Sequence, residues 1–199
     1  MHTAFFGVCM VGVAVLLLFG GLARPLPIAV EAHPAVVRAA QCAPDDLALD
    51  CPAMLGADAI DTILASYGSP AVGSGQAWID AGARYGINPE IALAFFIHES
   101  SAGTNPGWAG LKPGGGSTHN VGNIICAGYA SCFGRFRDYA SWDDGIEDWY
   151  RLIAVEYVEG RGHRTAEDVI PVYAPSFEND VGNYIGAVRA LVAEWRQQQ

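Results

Sequence analysis

Apolar residues recur at spacings of three and four in six segments of the chain after residue 57. Because this spacing places side chains on one face of an α-helix, it predicts six helices. The predicted helices cover residues 59–67, 76–85, 89–99, 141–158, 165–173 and 184–195. The glycine-rich stretch 101–141 has no helical period, and its segments 121–126 and 132–139 are candidates for a small hairpin. The expected fold is therefore mainly α, with a loop and β-hairpin lobe after the third helix.

Residues that cap helices support several of these boundaries. Asn88 is a suitable N-cap, and Pro89 behind it suits the first helical position. Ser141 and Thr165 are each followed by an aspartate three residues later, which is the arrangement of a capping box. Asp180 precedes the last helix in the same way. The starts of four helices can therefore be predicted from local chemistry.

The third predicted helix is apolar on every side until it ends at a carboxylic acid. Glu99 lies at helical spacings from Ala92, Phe95 and Phe96, so its side chain is expected to share their buried stripe. Loss of solvation raises the pKa of a carboxyl group, so Glu99 is expected to hold a proton near neutral pH. Such an acid can protonate the leaving oxygen of a glycosidic bond. The alternative is a partly buried glutamate that only caps the helix or pairs with a neighbour.

An uncharged apolar run, residues 5–23, opens the chain. Its length lies between that of a long signal-peptide core and that of a minimal membrane span. Small residues at Ala23 and Ala32 each suit a cleavage site, which favours a cleaved signal over a retained anchor. The expected organisation is a signal peptide or anchor at 1–32, a linker arm at 33–57 and one domain at 58–197. Either form of the leader places this domain in a secreted or extracytoplasmic location.

The cysteines that follow the leader form an even set, as expected of an exported protein. Cys42, Cys51, Cys126 and Cys132 allow three pairings, and the two local ones close the shortest loops. We therefore predict the disulfides Cys42–Cys51 and Cys126–Cys132. A zinc site is the weaker alternative, because the sequence has no CxxC pair and its histidines do not fall at ligand spacing.

The formal net charge of -10 argues against binding to nucleic acid, which requires a basic surface. The same charge works against binding to any anionic polymer. Affinity for such a polymer would have to come from local aromatic and polar contacts.

Four segments, taken in order, resemble the glucosaminidase family of the lysozyme-like superfamily, whose members are secreted enzymes that cleave bacterial cell-wall peptidoglycan. They are ALAFFIHESSAGTN, HNVGNI, FGRFRDYASWDDGIEDWYRLI and VIPVYAPSFENDVGNYIGAVRALV. The resemblance covers about residues 59–195 and implies a lysozyme-like helical fold. It also implies cleavage of β-1,4 glycosidic bonds in peptidoglycan by a monomer that needs neither metal nor cofactor.

The resemblance also implies roles for individual residues. Glu99 falls on the family's catalytic acid, and Tyr173 falls on the tyrosine of its "YA" motif near that acid. The substrate-binding candidates are Gly122 and Asn123 in the family's "GN" turn, Phe136 and Tyr139 in its aromatic segment, and Trp108, whose ring could stack on a sugar. For the aromatic residues and for Tyr173, plain core packing is the alternative. His98 beside the acid is better explained as structural.

The sequence contains no acidic residue between Glu99 and Asp138, although a two-carboxylate glycosidase needs a second acid across the cleft. Three explanations for the missing second acid stay open. Asp138, Asp143 or Asp144 could reach back, the substrate's own N-acetyl group could act as nucleophile, or Glu99 could act alone and leave a 1,6-anhydro sugar. We hypothesise a single-acid mechanism, either hydrolytic or of the lytic transglycosylase type.

Two alternatives to this function remain at the level of sequence. One is a non-catalytic domain that binds cell-wall glycan, in which Glu99 would be neutralised by a salt bridge. The other is an endo-N-acetylglucosaminidase that acts on other polymers of N-acetylglucosamine. A structure distinguishes the glycan-binding domain from an enzyme, because an enzyme would leave Glu99 without a cationic partner in a groove.

Overall fold

The computed structural model describes residues 42–198, so the predicted leader lies outside the described residues. None of the helices within these residues is both long enough and apolar enough to cross a membrane. Within these described residues, six α-helices, one π-helical segment and one short hairpin follow one another. They are α1 Ala57–Ser66, α2 Gly75–Tyr85, α3 Pro89–Ser100, β1 Cys132–Phe133, β2 Phe136–Arg137, α4 Trp142–Leu152, the π-helix Ile153–Glu159, α5 Ala166–Tyr173 and α6 Val181–Gln197. The mainly α architecture with a small hairpin lobe is confirmed.

Helix α3 forms the centre of the hydrophobic core. Residues 91–97 of this helix are all buried, as the unbroken apolar run predicts. Helix α6 packs against α3, and α2 packs against both α3 and α4. The core is rich in aromatic rings, including Trp78, Phe95, Phe96 and Trp149. A rigid, close-packed core of this kind holds the last turn of α3 in a fixed place.

The predicted caps are confirmed. The side chain of Asn88 accepts a hydrogen bond from the backbone N–H of Ile91, at 3.1 Å. Thr165 and Asp168 form a complete capping box, in which each side chain bonds the other's backbone. Ser141 and Asp180 cap α4 and α6 through one bond each, because their side chains accept from the backbone N–H of Asp144 and of Asn183, and the reciprocal bond of the box predicted at Ser141 is not formed. These bonds satisfy backbone donors that the first helical turn leaves unpaired.

The helix predicted over 141–158 changes character along its length. It is an α-helix to Leu152 and continues as the π-helix Ile153–Glu159. A π-helix has a wider turn than an α-helix, so it changes the register of the side chains that follow. One residue of this segment, Tyr157, lines the cleft described below.

Both strands of the hairpin lie within residues 132–139, whereas we expected one of them in the segment 121–126. A tight turn explains the difference, because Gly134 has a positive φ of 58° and lets the chain reverse directly after Phe133. The segment 121–126 still runs beside the hairpin. Its Ile125 forms an isolated antiparallel bridge with Phe136 of β2.

Both predicted disulfides are present, Cys42–Cys51 and Cys126–Cys132. The first encloses Leu47 and Leu49. Both are buried and belong to the same core cluster as Leu55, which follows the loop. Backbone hydrogen bonds tie this segment to the rest of the domain, for example from the N–H of Asn88 to the carbonyl of Leu49, at 2.6 Å. Residues 47–55 thus pack against the helices that follow them.

Candidate functional site

Glu99 lies in the last turn of α3 and lines an open cleft of about 480 Å³. The helix ends one residue later, at Ser100, because Ser101 adopts a left-handed conformation, with φ 52°. One wall of the cleft comes from the hairpin lobe and the other from the π-helix and the loop between α5 and α6. The wall residues are Ile125, Arg135, Phe136 and Arg137 on the first side, and Tyr157, Tyr173, Glu178 and Asn179 on the second.

The Glu99 carboxyl group is held by two hydrogen bonds. Asn123 donates from Nδ2 to Oε2, at 2.8 Å, and Tyr184 donates from its hydroxyl to Oε1, at 2.5 Å. Trp108 donates from Nε1 to the Asn123 side-chain carbonyl, at 2.6 Å. Because an indole N–H only donates, this bond turns the amide nitrogen of Asn123 toward Glu99. The acid therefore has a fixed orientation, set by a chain of three partners.

Burial raises the pKa of Glu99 above its ordinary value, and the hydrogen bonds from Tyr184 and Asn123 offset only part of that rise. Within residues 42–198, Glu99 takes part in no salt bridge. The proton-holding state is therefore favoured by the surroundings, as the apolar stripe on α3 predicts. These surroundings differ from those of a glutamate that serves only in an ion pair.

Tyr184 is a site residue that the sequence analysis missed. It lies in the first turn of α6, 85 positions after Glu99, and no local spacing connects the two. The ring of His98 packs against that of Tyr184, with the ring centroids 3.8 Å apart. Burial lowers the pKa of His98, so its imidazole stays neutral more readily than a free one. His98 thus supports Tyr184 by packing, in agreement with a structural role.

Gly122 and Tyr173 support the turn that carries Asn123. The Tyr173 hydroxyl donates a hydrogen bond to the carbonyl of Gly122. A Cβ atom at Gly122 would lie 2.3 Å from both Trp149 Cδ1 and the Tyr173 hydroxyl, so only glycine fits. Asn123 itself has a positive φ of 50°. Tyr173 lines the cleft with Glu99, but its hydrogen bond positions the turn and does not reach the acid.

Of the three rings expected to bind sugar, only Phe136 lines the cleft. Trp108 is buried behind Asn123, where it holds the amide. Tyr139 is also buried, and its hydroxyl donates to Asp148 Oδ2, at 2.5 Å. A buried ring presents no face to a ligand, so the structure places Trp108 and Tyr139 in supporting positions. Aromatic character alone did not distinguish these positions from a sugar platform.

A second carboxyl group does line the cleft, and it comes from outside the hairpin lobe. Glu178 belongs to the loop between α5 and α6 and lies 4.0 Å from the guanidinium of Arg135. Asp138 does not line this cleft and pairs with Lys112, at 2.7 Å. Asp143 and Asp144 lie in the first turn of α4, as helix-start residues. The sequence suggested a second acid only at Asp138 and in the first turn of α4, and Glu178 lies in neither place.

Together these features define a class of domain: a small helical fold in which one half-buried acid, with no salt bridge among the described residues, faces an open cleft beside a hairpin lobe. No protein-family model and no curated protein matches the sequence. Two crystal structures of Staphylococcus aureus autolysin E share the fold. One is a catalytic mutant in complex with the disaccharide NAG-NAM, with TM-score 0.60 and 13% identity over 77% of this chain and 73% of that one.

The second structure is autolysin E itself, with TM-score 0.57 and 14% identity over 82% of this chain and 76% of that one. At such low identity the similarity establishes the fold. The lysozyme-like helical fold expected from the sequence resemblance is thereby confirmed.

Proposed function

We propose that this chain is an exported glycosidase that cleaves β-1,4 bonds in the glycan strands of peptidoglycan, with Glu99 as its single general acid. The observation that supports this proposal is the Glu99 carboxyl group, which has a raised pKa, is oriented by two hydrogen bonds and lines an open cleft. The fold shared with autolysin E, which was solved with a NAG-NAM disaccharide, supports a peptidoglycan glycan as the substrate.

In this mechanism the glycan lies along the cleft between the hairpin wall and the α5–α6 loop. Protonated Glu99 donates its proton to the glycosidic oxygen as the bond to the anomeric carbon breaks. Positive charge then develops on the sugar ring, and the newly formed Glu99 carboxylate stabilises it. The carboxylate next accepts a proton from the attacking hydroxyl, which belongs either to water or to the C6 carbon of the same sugar. Asn123 and Tyr184 hold the carboxyl group through both steps.

Product analysis tests this function. The full-length chain is incubated with purified peptidoglycan, and the released fragments are identified by mass spectrometry. We expect shortened glycan strands with new reducing ends if water attacks, or with 1,6-anhydro ends if the C6 hydroxyl attacks. A neutral polymer of N-acetylglucosamine serves as the comparison substrate. Intact strands after prolonged incubation would contradict the proposal, and binding without cleavage would identify a glycan-binding domain.

Removal of the Tyr184 hydroxyl is expected to shift the pH dependence of cleavage. The hydrogen bond from Tyr184 lowers the pKa of Glu99, so Tyr184→Phe should raise that pKa further. Because the acid must be protonated, activity falls as pH rises through its pKa. The alkaline limb of kcat/KM should therefore move to higher pH, while kcat at the optimum falls about tenfold, as expected for one hydrogen bond to a charged group.

Tyr157→Phe is the matched control for this measurement. Tyr157 lines the same cleft, but its hydroxyl forms no hydrogen bond with Glu99. Its removal should leave the alkaline limb where it is. An unshifted limb in Tyr184→Phe, or a shift toward acid pH, would show that Glu99 is not the group whose ionisation limits the rate.

A further inference from the structure

The hairpin wall of the cleft carries two arginines, Arg135 and Arg137, in a chain whose net charge is -10. The guanidinium group of Arg137 already has partners within the protein. Its Nη1 pairs with Asp148 Oδ2, at 2.5 Å, and its guanidinium lies over the ring of Tyr129. Asp148 is buried and also accepts from Tyr139, so this pair belongs to the internal structure of the lobe.

Arg135 is in a different situation. It follows Gly134 in the hairpin turn, and its side chain is 62% exposed. Within residues 42–198 its guanidinium forms no hydrogen bond, and its only ion pair is the 4.0 Å contact with Glu178, itself 51% exposed. The ring of Phe136 lies under the guanidinium, 5.5 Å away, and limits its freedom. All its N–H donors are thus available to a ligand in the cleft.

We propose that Arg135 binds a carboxylate group of the glycan and thereby selects anionic glycans over neutral polymers of N-acetylglucosamine. This inference rests on the function proposed above. A guanidinium group matches a carboxylate with two parallel hydrogen bonds, and such charged bonds are stronger than neutral ones. In peptidoglycan strands freed of their stem peptides, every second sugar carries a lactyl ether whose carboxyl group is no longer amide-bonded and supplies the carboxylate. Glu178 is the resting partner that the substrate's carboxylate displaces.

The proposal also accounts for how an acidic protein binds an anionic polymer. Charges on the far surface are screened by salt within about 8–10 Å, whereas a cation in the cleft acts on the bound sugar directly. Arg135, whose hydrogen-bond donors are free at the cleft, therefore acts on a bound carboxylate more strongly than the distant charges that make up the net charge of -10. The loose contact with Glu178 keeps the guanidinium oriented without occupying its donors.

Binding is measured in full-length protein that carries Glu99→Gln, so that turnover does not consume the ligand. The probes are solubilised peptidoglycan glycan strands freed of their stem peptides and the same strands with their carboxyl groups converted to amides, titrated by calorimetry. Arg135→Gln should weaken binding of the free-carboxylate strands about tenfold, as expected for one hydrogen-bonded charge pair, and leave the amidated strands unaffected. Arg135→Lys should restore part of the loss, and Glu178→Gln should tighten binding of the free-carboxylate strands.

Arg84→Gln is the matched control. Arg84 is 59% exposed, pairs with Glu147 at 2.5 Å and does not line the cleft, so its substitution makes the same change in net charge elsewhere. Its binding of both probes should equal that of the parent. An equal loss in Arg84→Gln would attribute the effect to net charge and overturn the proposal. So would an Arg135→Gln protein that binds both probes unchanged, or that loses both equally.

The two proposals fail separately. If the native chain leaves peptidoglycan uncut while Arg135→Gln loses only the free-carboxylate strands, the glycosidase function is wrong and the carboxylate site stands. If the native chain cuts peptidoglycan and Arg135→Gln shows no selective loss, the glycosidase function stands and the carboxylate site is wrong. Absence of binding to either probe by the Glu99→Gln protein would overturn the carboxylate site.

Discussion

Glu99→Gln is expected to reduce the rate of peptidoglycan cleavage by about 10²- to 10⁴-fold, because general acid catalysis contributes a factor of this size. Glutamine has nearly the same shape and can still accept from Asn123 and bond to Tyr184. It has no proton of suitable acidity to give to a glycosidic oxygen. The variant therefore removes the chemistry and keeps the geometry. The measurement is the initial rate of fragment release from purified peptidoglycan, with equal amounts of folded protein.

A stability measurement provides the folding control. The folded-state pKa of Glu99 is raised, so the folded protein retains this proton at pH values where the unfolded chain has lost it. Ionisation in the unfolded state then lowers the stability of the parent as pH rises from the ordinary carboxyl pKa to the raised one. Glu99→Gln lacks this penalty. Its melting temperature should equal that of the parent at acid pH and exceed it at neutral pH.

Glu178→Gln tests the single-acid mechanism in the same assay. If Glu99 is the only acid, this variant should lower kcat far less than Glu99→Gln does. A comparable loss of kcat would make Glu178 a second catalytic carboxylate and would contradict the single-acid mechanism. Full lytic activity in Glu99→Gln would contradict the role of Glu99 itself.

Arg196→Met is expected to cause the largest loss of stability, about 3–5 kcal/mol of unfolding free energy. Arg196 Nε bonds Glu90 Oε2 at 2.9 Å, and the two side chains are 2% and 0% exposed. Loss of the guanidinium would leave the Glu90 carboxylate buried without a cation. The same arginine also donates to the carbonyls of Ala43 and Asp46, so three contacts are lost together. The measurement is urea unfolding with both disulfides intact.

Arg189→Met is the matched control, since Arg189 lies on the same helix and pairs with Glu167 at the surface. A surface pair contributes about 0–1 kcal/mol, so this variant should lose no more than that. Combining Arg196→Met with Glu90→Leu removes both buried charges and should recover much of the loss. Equal losses in Arg196→Met and Arg189→Met would contradict the account of the buried pair.

Local chemistry accounts for the features that could be predicted from the sequence. Helical spacing and capping residues act over three or four positions, so the six helices and their starts could be identified. The Cys42–Cys51 and Cys126–Cys132 disulfides close loops of 9 and 6 residues, which makes them the simplest pairings. The partial burial of Glu99 and the rise in its pKa followed from the apolar stripe of its own helix.

Contacts between distant residues could not be predicted in this way. Glu90 lies in the first turn of α3, where a carboxylate complements the helix dipole, yet its partner Arg196 lies 106 positions away. Tyr184 is 85 positions from Glu99. No spacing rule relates residues at such separations, because their proximity depends on how α3 and α6 pack. For the same reason the sequence did not show which aromatic rings face the cleft and which face the core.

The buried ion pair also has a consequence for the borders of the domain. Arg196 near the end of α6 bonds the backbone at residues 43–46, so one side chain holds both borders of the described domain together. Termini ordinarily fray at almost no cost in free energy, and proteases begin there. Unwinding of α6 past Arg196 would leave the Glu90 carboxylate in the core without its cation. Detachment of residues 43–46 would remove two hydrogen bonds from the same guanidinium, so fraying at either border costs more free energy than fraying of an untethered terminus.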